Sequence, residues 1–211
     1  MNLGSFAFRD YIIYVLPGGI VIAAFLLLSG FDLATAGSYQ FLLAALFVVG
    51  GYPAGLVASS AFGAISTYTK YRKVRPDPLA GSADEVATKL LGEEIANLFM
   101  ISLRSVYGAK YADRARSPAA IYLLTGFIAE RSPALYGIVN RIYAIENLSR
   151  SLTVALPVLA IACIVNGLWA AVVILLIGTV LSFRKIDLTR KWLGRSVIRS
   201  FITITIDASV G

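Results

Sequence analysis

Four stretches of this chain carry no charged side chain and are dominated by apolar residues: Ile12–Ser29, Phe41–Ile65, Leu152–Asn166 and Leu168–Phe183. A helix rises ~1.5 Å per residue, so ~20 residues cross a ~30 Å hydrocarbon core. The first two runs meet that length. The last two are shorter and meet at Asn166-Gly167, which reads as a very tight turn. Each gains length if Tyr143–Leu148 and Lys185–Leu188 continue its helix. The first two runs have no polar face to present to water, so a buried helix pair of a soluble protein fits them poorly. Composition agrees. The chain is 58% hydrophobic and 15% charged, against about 45–50% and about 25% in soluble domains.

Charge sets the expected topology. Of the 19 Lys and Arg residues, Arg9 precedes the first run, twelve lie between Lys70 and Arg150, and six between Arg184 and Arg199. The loop Gly30–Gln40 and the Asn166-Gly167 turn have none. Cytoplasmic loops collect Lys and Arg. The sequence therefore predicts four spans in two hairpins, with both termini and the basic middle segment in the cytoplasm. The expected location is a membrane, crossed several times. Ala34-Thr35-Ala36 has the form of a signal-peptidase site, but Ile12–Ser29 exceeds the roughly 7–15 residues of a signal-peptide core. It is expected to remain as a span.

The expected class is thus an all-α membrane protein in four parts. A first transmembrane hairpin covers 1–66, a cytosolic helical segment 67–150, a second hairpin 151–184 and an amphipathic tail 185–211. Within the middle segment Ser82 and Glu85 form a capping box that starts a helix, and Gly108 interrupts it. Ser117-Pro118 and Ser132-Pro133 each start another. The last, through Tyr136, Val139, Ile142 and Tyr143, can run into the third span. Ala119–Ala129 is apolar all round but too short to cross a bilayer. It is either the core of a small helical domain or a segment against the membrane, and the core is the favoured reading. Arg75-Pro76-Asp77-Pro78 is a loop.

Two groups of residues stand out inside the first hairpin. Pro17, Gly18 and Gly19 lie in its first span. Gly50, Gly51, Pro53 and Gly55 lie in the second, with Gly51 and Gly55 as a GxxxG pair. Glycine lets another backbone approach, and proline removes a backbone donor. The two groups read as close helix packing, or as a hinge or pore constriction. Tyr11, Tyr14, Tyr39, Phe41 and Trp169 stand at span ends, as an aromatic belt does.

Two basic groups are candidates for anionic lipid or a protein partner. Lys70, Arg72, Lys73 and Arg75 follow the second span directly. In the tail, Lys191, Arg195 and Arg199 repeat every four residues, with Ile186, Leu193, Val197 and Phe201 on another face. That helix lies on the inner leaflet or packs against the middle segment or a second subunit. There is no Gly-rich phosphate loop, and nucleic acid is not expected as a direct partner.

Catalytic chemistry is poorly provided for. The chain has no histidine and one cysteine, Cys163, inside the third run with no base beside it. No metal-ligand spacing appears. The expectation is a non-enzyme without cofactor or metal. The spans contain no Asp, Glu, Lys, Arg or His, which argues against a proton-coupled carrier.

Asp10-Tyr11-Ile12-Ile13-Tyr14-Val15-Leu16-Pro17-Gly18 resembles the opening of small bacterial four-span inner-membrane proteins of unassigned role. Arg141-Ile142-Tyr143 through Asn147-Leu148-Ser149-Arg150 is similar to the lead-in to their second hairpin. Some proteins of this shape are membrane components of defence systems. Four spans are too few to enclose a pathway alone, so a homo-oligomer is expected. The hinge-like groups around Pro17 and Gly50–Gly55 motivate a subunit that couples a cytosolic partner or signal to the membrane, as a pore-forming or membrane-disturbing effector. The resemblance implies a bacterial inner membrane as its location. The alternatives are a channel or transporter for a small neutral solute and a passive scaffold that recruits a soluble protein.

Overall fold

A computed structural model of the chain describes residues 3–31, 39–68, 77–112, 114–115 and 117–210. About 90% is helical, and the described residues contain no strand. The helices are α1 (Leu3–Leu28), α2 (Gln40–Ala45), a π turn (Leu46–Gly50), α3 (Gly51–Tyr68), α4 (Ala83–Leu91), α5 (Glu93–Tyr107), α6 (Ala109–Ala112), α7 (Ser117–Arg131), α8 (Pro133–Val165) and α9 (Trp169–Val210).

Three helical stretches are long and apolar enough to cross a membrane: Gln40–Ile65, Pro133–Val165 and Trp169–Asp207. A shorter apolar stretch, Ile13–Leu28, lies in α1. Of the most apolar window in each long stretch, only 17%, 33% and 11% is buried within the chain. Val173, Ile174, Leu176, Ile177, Val180 and Leu181 of α9 are all more than half exposed. Water would not tolerate so large an apolar surface, and these helices fit a membrane location.

The chain divides into two compact units. One comprises residues 1–74 and 144–186, the other 75–143 and 187–211. The divisions fall inside α8 and α9, so each of those helices supplies residues to both units.

The first unit is closed by small side chains. Ala24, Ala58, Ala155, Ala160, Ala162 and Ser151 are buried. Helices in lipid gain nothing from hiding apolar surface, and close approach through small residues holds them instead. The turn between α8 and α9 is tight because Gly167 adopts φ +71°, a left-handed value open to glycine without strain. Asn166 secures it by donating Nδ2 to the Ala162 carbonyl at 2.9 Å and to the Leu27 carbonyl of α1 at 3.4 Å.

The second unit has a conventional aromatic and aliphatic core. Val86, Phe99, Leu103, Leu124, Ile128, Val139, Val197, Ile198 and Phe201 are buried together. The tail's apolar face, Leu193, Val197 and Phe201, thus packs against the middle segment. The run 119–129 contributes Ala120, Ile121, Leu124 and Ile128 to the same core, while Tyr122 and Leu123 remain exposed. Phe201 is the hub. Its ring lies 5.3 Å from Phe127 and 6.1 Å from Phe99, both edge-on, and 6.4 Å from Tyr107 in a stacked pose.

The capping box forms as the sequence predicts. Glu85 N–H donates to Ser82 Oγ at 3.2 Å, and Ser82 N–H donates to Glu85 Oε2 at 3.1 Å. One expectation changes. The helix predicted to run from Ser82 to Gly108 is two helices, because Gly92 sits at φ +88° and ends α4. Gly92 caps α4, then starts α5, which ends at Gly108.

Candidate functional site

The strongest local construction in the first unit is the seam between α1 and α3. Gly18 abuts the backbone of Gly51, and a methyl group on it would overlap the Gly51 carbonyl and come within 2.7 Å of the Gly55 nitrogen. A methyl on Gly51 would lie 2.9 Å from the Val15 carbonyl oxygen. One on Gly55 would overlap the Tyr14 carbonyl. Pro17 is fully buried beside them. Gly19 and Gly50 pack less tightly: a methyl on Gly19 would lie 3.1 Å from the Phe47 ring and one on Gly50 3.2 Å from the Ile22 side chain. Pro53 is exposed. The predicted group thus separates into a tight triad, Gly18, Gly51 and Gly55, two looser glycines, and a proline outside the seam.

Pro53 acts on the backbone. In a regular α-helix its ring would crowd the Val49 carbonyl, and it has no N–H to return there. The π turn Leu46–Gly50 widens the helix in that stretch, as π turns do at irregular points in a hydrogen-bond ladder. Tyr14 and Tyr52 close the seam with ring centroids 5.5 Å apart, edge to face.

The basic candidates fare differently. Lys70, Arg72, Lys73 and Arg75 lie outside the described residues. Lys191, Arg195 and Arg199 are exposed along α9. Arg195 also has an internal role, because its Nε donates to the Leu90 carbonyl of α4 at 3.0 Å. Arg190, which the sequence reading did not single out, pairs with Asp77 at 2.6 Å. The other Asp77 oxygen accepts the Leu79 N–H at 3.1 Å. Beside these contacts Gly194 leaves room on α9 for the side chains of Leu79 and Leu90, and a methyl there would come within 2.7 Å of both.

One charged pair escaped the sequence reading. Glu146 is buried in the first unit, 3% exposed, and pairs with Arg150 one turn later on α8. Ser149 and Ser151 are buried beside them in sequence. The Ser151 hydroxyl donates to the Asn147 carbonyl at 3.0 Å and reaches the Gly55 carbonyl of α3 at 3.5 Å. The signal was present as a Glu four residues ahead of an Arg on one helix, but it lies just before the uncharged run and was not counted with it.

The second unit carries a wide-mouthed cleft of about 500 Å³, lined by Asp84, Asn97, Met100, Ile101 and Arg104. Tyr107, on the same helix as the last four, has its phenol pushed above the ordinary 10.0 by burial, then by the neighbouring Tyr111 and Glu130. Cys163 is a buried free thiol. Among the described residues no three acidic or cysteine side chains come together to hold a metal.

In comparisons with known proteins, no family model, no curated protein and no solved structure matches this chain.

Proposed function

We propose that this chain is an integral inner-membrane subunit, crossing the bilayer four times in two hairpins, that oligomerises and couples a cytosolic partner or signal to the membrane. The observation that carries this reading is that α8 and α9 each belong, as unbroken helices, to both compact units. A partner acting on the aromatic core around Phe201 therefore acts on helices that also supply apolar spans. The complete segregation of Lys and Arg away from the Gly30–Gln40 loop and the Asn166-Gly167 turn supports the orientation. The exposed apolar faces of α9 leave room for further copies as well as lipid.

A pore-forming or membrane-disturbing effector is the form of this function that the resemblance favours. A pore would lie between copies, since Gly18, Gly51 and Gly55 are already occupied within one chain. The test is the mass of the particle in a nanodisc, followed by conductance across a planar bilayer. A ring of four or more copies with signal-dependent conductance supports the reading. A monomer overturns it and leaves the passive scaffold.

A further inference from the structure

The second unit carries opposite charges on two of its faces. On α9, Lys191, Arg195 and Arg199 are exposed, with Leu188 and Trp192 exposed beside them. Steps of three and four residues put all five on one side of a helix. On the α4–α5 pair, Asp84, Glu93 and Glu94 are exposed. Glu94, Leu98 and Ile101 follow one another at four and three residues along α5, and Leu98 and Ile101 are 48% and 62% exposed. Asp84 of α4 lines the same cleft as Ile101. Arg104 also lines it and is already engaged within the chain. Lys89 is turned about 140° round α4 from Asp84, at ~100° per residue. Each face thus sets exposed apolar side chains among charges, basic on α9 and mainly acidic on α4–α5.

The two faces do not serve each other within one chain. Phe201 marks the core side of α9 and meets Phe99 of α5. At ~100° per residue, Lys191, Arg195 and Arg199 lie roughly 80–160° round α9 from Phe201. On α5, Glu94 and Ile101 lie roughly 140–160° round from Phe99. Both faces therefore turn away from the contact between the two helices. None of Asp84, Glu94, Lys191 and Arg199 takes part in an ion pair among the described residues.

Opposite charges arranged on two surfaces steer them together and fix their register. An anionic leaflet attracts the basic face but repels the acidic one. A second copy of the chain answers both. The spacings also match. Lys191 and Arg199 are about 12 Å apart along α9, and Glu94 and Ile101, the latter beside Asp84, are about 10 Å apart along α5.

We infer that the acidic α4–α5 face of one copy docks on the basic α9 face of the next. Such a contact joins two different surfaces of the same chain, so it repeats from copy to copy. The bilayer holds every copy in one orientation, so the series turns about the membrane normal and closes as a ring. The inference rests on the oligomeric reading and assigns a contact between copies to the second unit.

Native mass spectrometry of the full chain in detergent tests it, on wild type, K191E/R199E, D84K/E94K and the quadruple variant. Arg195 stays in place for its bond to the Leu90 carbonyl. Reversing either face should weaken association on the order of tenfold, and reversing both in one chain should restore it. Asp84 and Glu94 also favour the first turns of their helices. Reversing Lys191 and Arg199 would not restore that role, so rescue separates docking from helix stability. If a variant does not fold, salt carries the test. Raising it from about 0.05 to about 0.5 M should dissociate the wild type, since exposed pairs are screened, and association that ignores salt overturns the inference. Unchanged mass in every variant, or a quadruple variant without rescue, overturns it and leaves the oligomeric reading in place. A loss in K191E/R199E alone overturns the second copy as occupant and assigns the basic face to anionic lipid or an acidic soluble partner. A wild type that is monomeric at every concentration overturns the oligomeric reading itself, and the inference with it.

Discussion

Gly18 of α1 lies against Gly51 of α3 so closely that the space for one methyl group is already filled by the Gly51 carbonyl. The two backbones touch with no side chain between them, and Gly55 repeats the arrangement one turn further along at Tyr14. This is a packing seam within one chain. It consumes the GxxxG pair that could otherwise have served an interface between copies.

Gly18→Ala and Gly55→Ala should each destabilise the first unit, because the added methyl must push backbone aside. Overpacking of this kind costs on the order of 1–3 kcal/mol. Gly63, in the same α3, has nothing within 4 Å of an added methyl. Gly63→Ala should be neutral or stabilising, by up to about 1 kcal/mol from helix propensity. Thermal unfolding in detergent, followed by circular dichroism, checks the contrast. Equal shifts for Gly18→Ala and Gly63→Ala would refute the seam.

Features contained within one turn of helix were legible in the sequence, and features that depend on register were not. Ser82 and Glu85 announce their capping box because both partners lie three residues apart. The Gly51/Gly55 spacing announces a close approach, but not that the partner is the backbone of Tyr14–Gly18. The tail's apolar face was visible as a periodicity, while its destination, the core around Phe201, depends on residues about a hundred positions away. Gly92 lies between residues that continue a helical pattern, and a single glycine is tolerated inside a helix. Only its φ of +88° distinguishes a break from a passenger. Glu146 was passed over because its surroundings come from the fold rather than from its neighbours in sequence.

Phe201 is fully buried among Phe99, Phe127 and Tyr107. Phe201→Ala should remove about 3–5 kcal/mol from the second unit, the range for large aromatic truncations in a core. Phe25, 64% exposed on α1, provides the comparison, and Phe25→Ala should change stability little. Denaturant titration of the two variants, read by near-ultraviolet circular dichroism, separates them. A loss at Phe25 as large as that at Phe201 would count against the core described here.

Tyr107 should ionise later than the exposed tyrosines. Its phenol is raised by burial first, then by Tyr111 and Glu130. The sign follows from the acid being held neutral in the folded state. Its contribution to stability is fully present below the ordinary value of 10.0 and is lost as pH rises from there through the raised folded value. Absorbance at 295 nm should show a late-titrating phenol that disappears in Tyr107→Phe. An unchanged titration curve in that variant would contradict the assignment.

The Glu146–Arg150 pair should be strongly non-additive. Glu146 is the deeper partner, with a side chain 4% exposed against 29% for Arg150. Arg150→Leu leaves a buried carboxylate without its guanidinium, and breaking a buried pair costs about 3–5 kcal/mol. Glu146→Leu leaves a guanidinium that can still reach water or a headgroup, so the loss should be smaller. The double variant removes both charges and should recover most of the difference, because apolar replacement of a whole buried pair is often neutral. The three unfolding temperatures in one detergent give the coupling directly. Losses that simply add in the double variant would mean that the two side chains do not act as a pair.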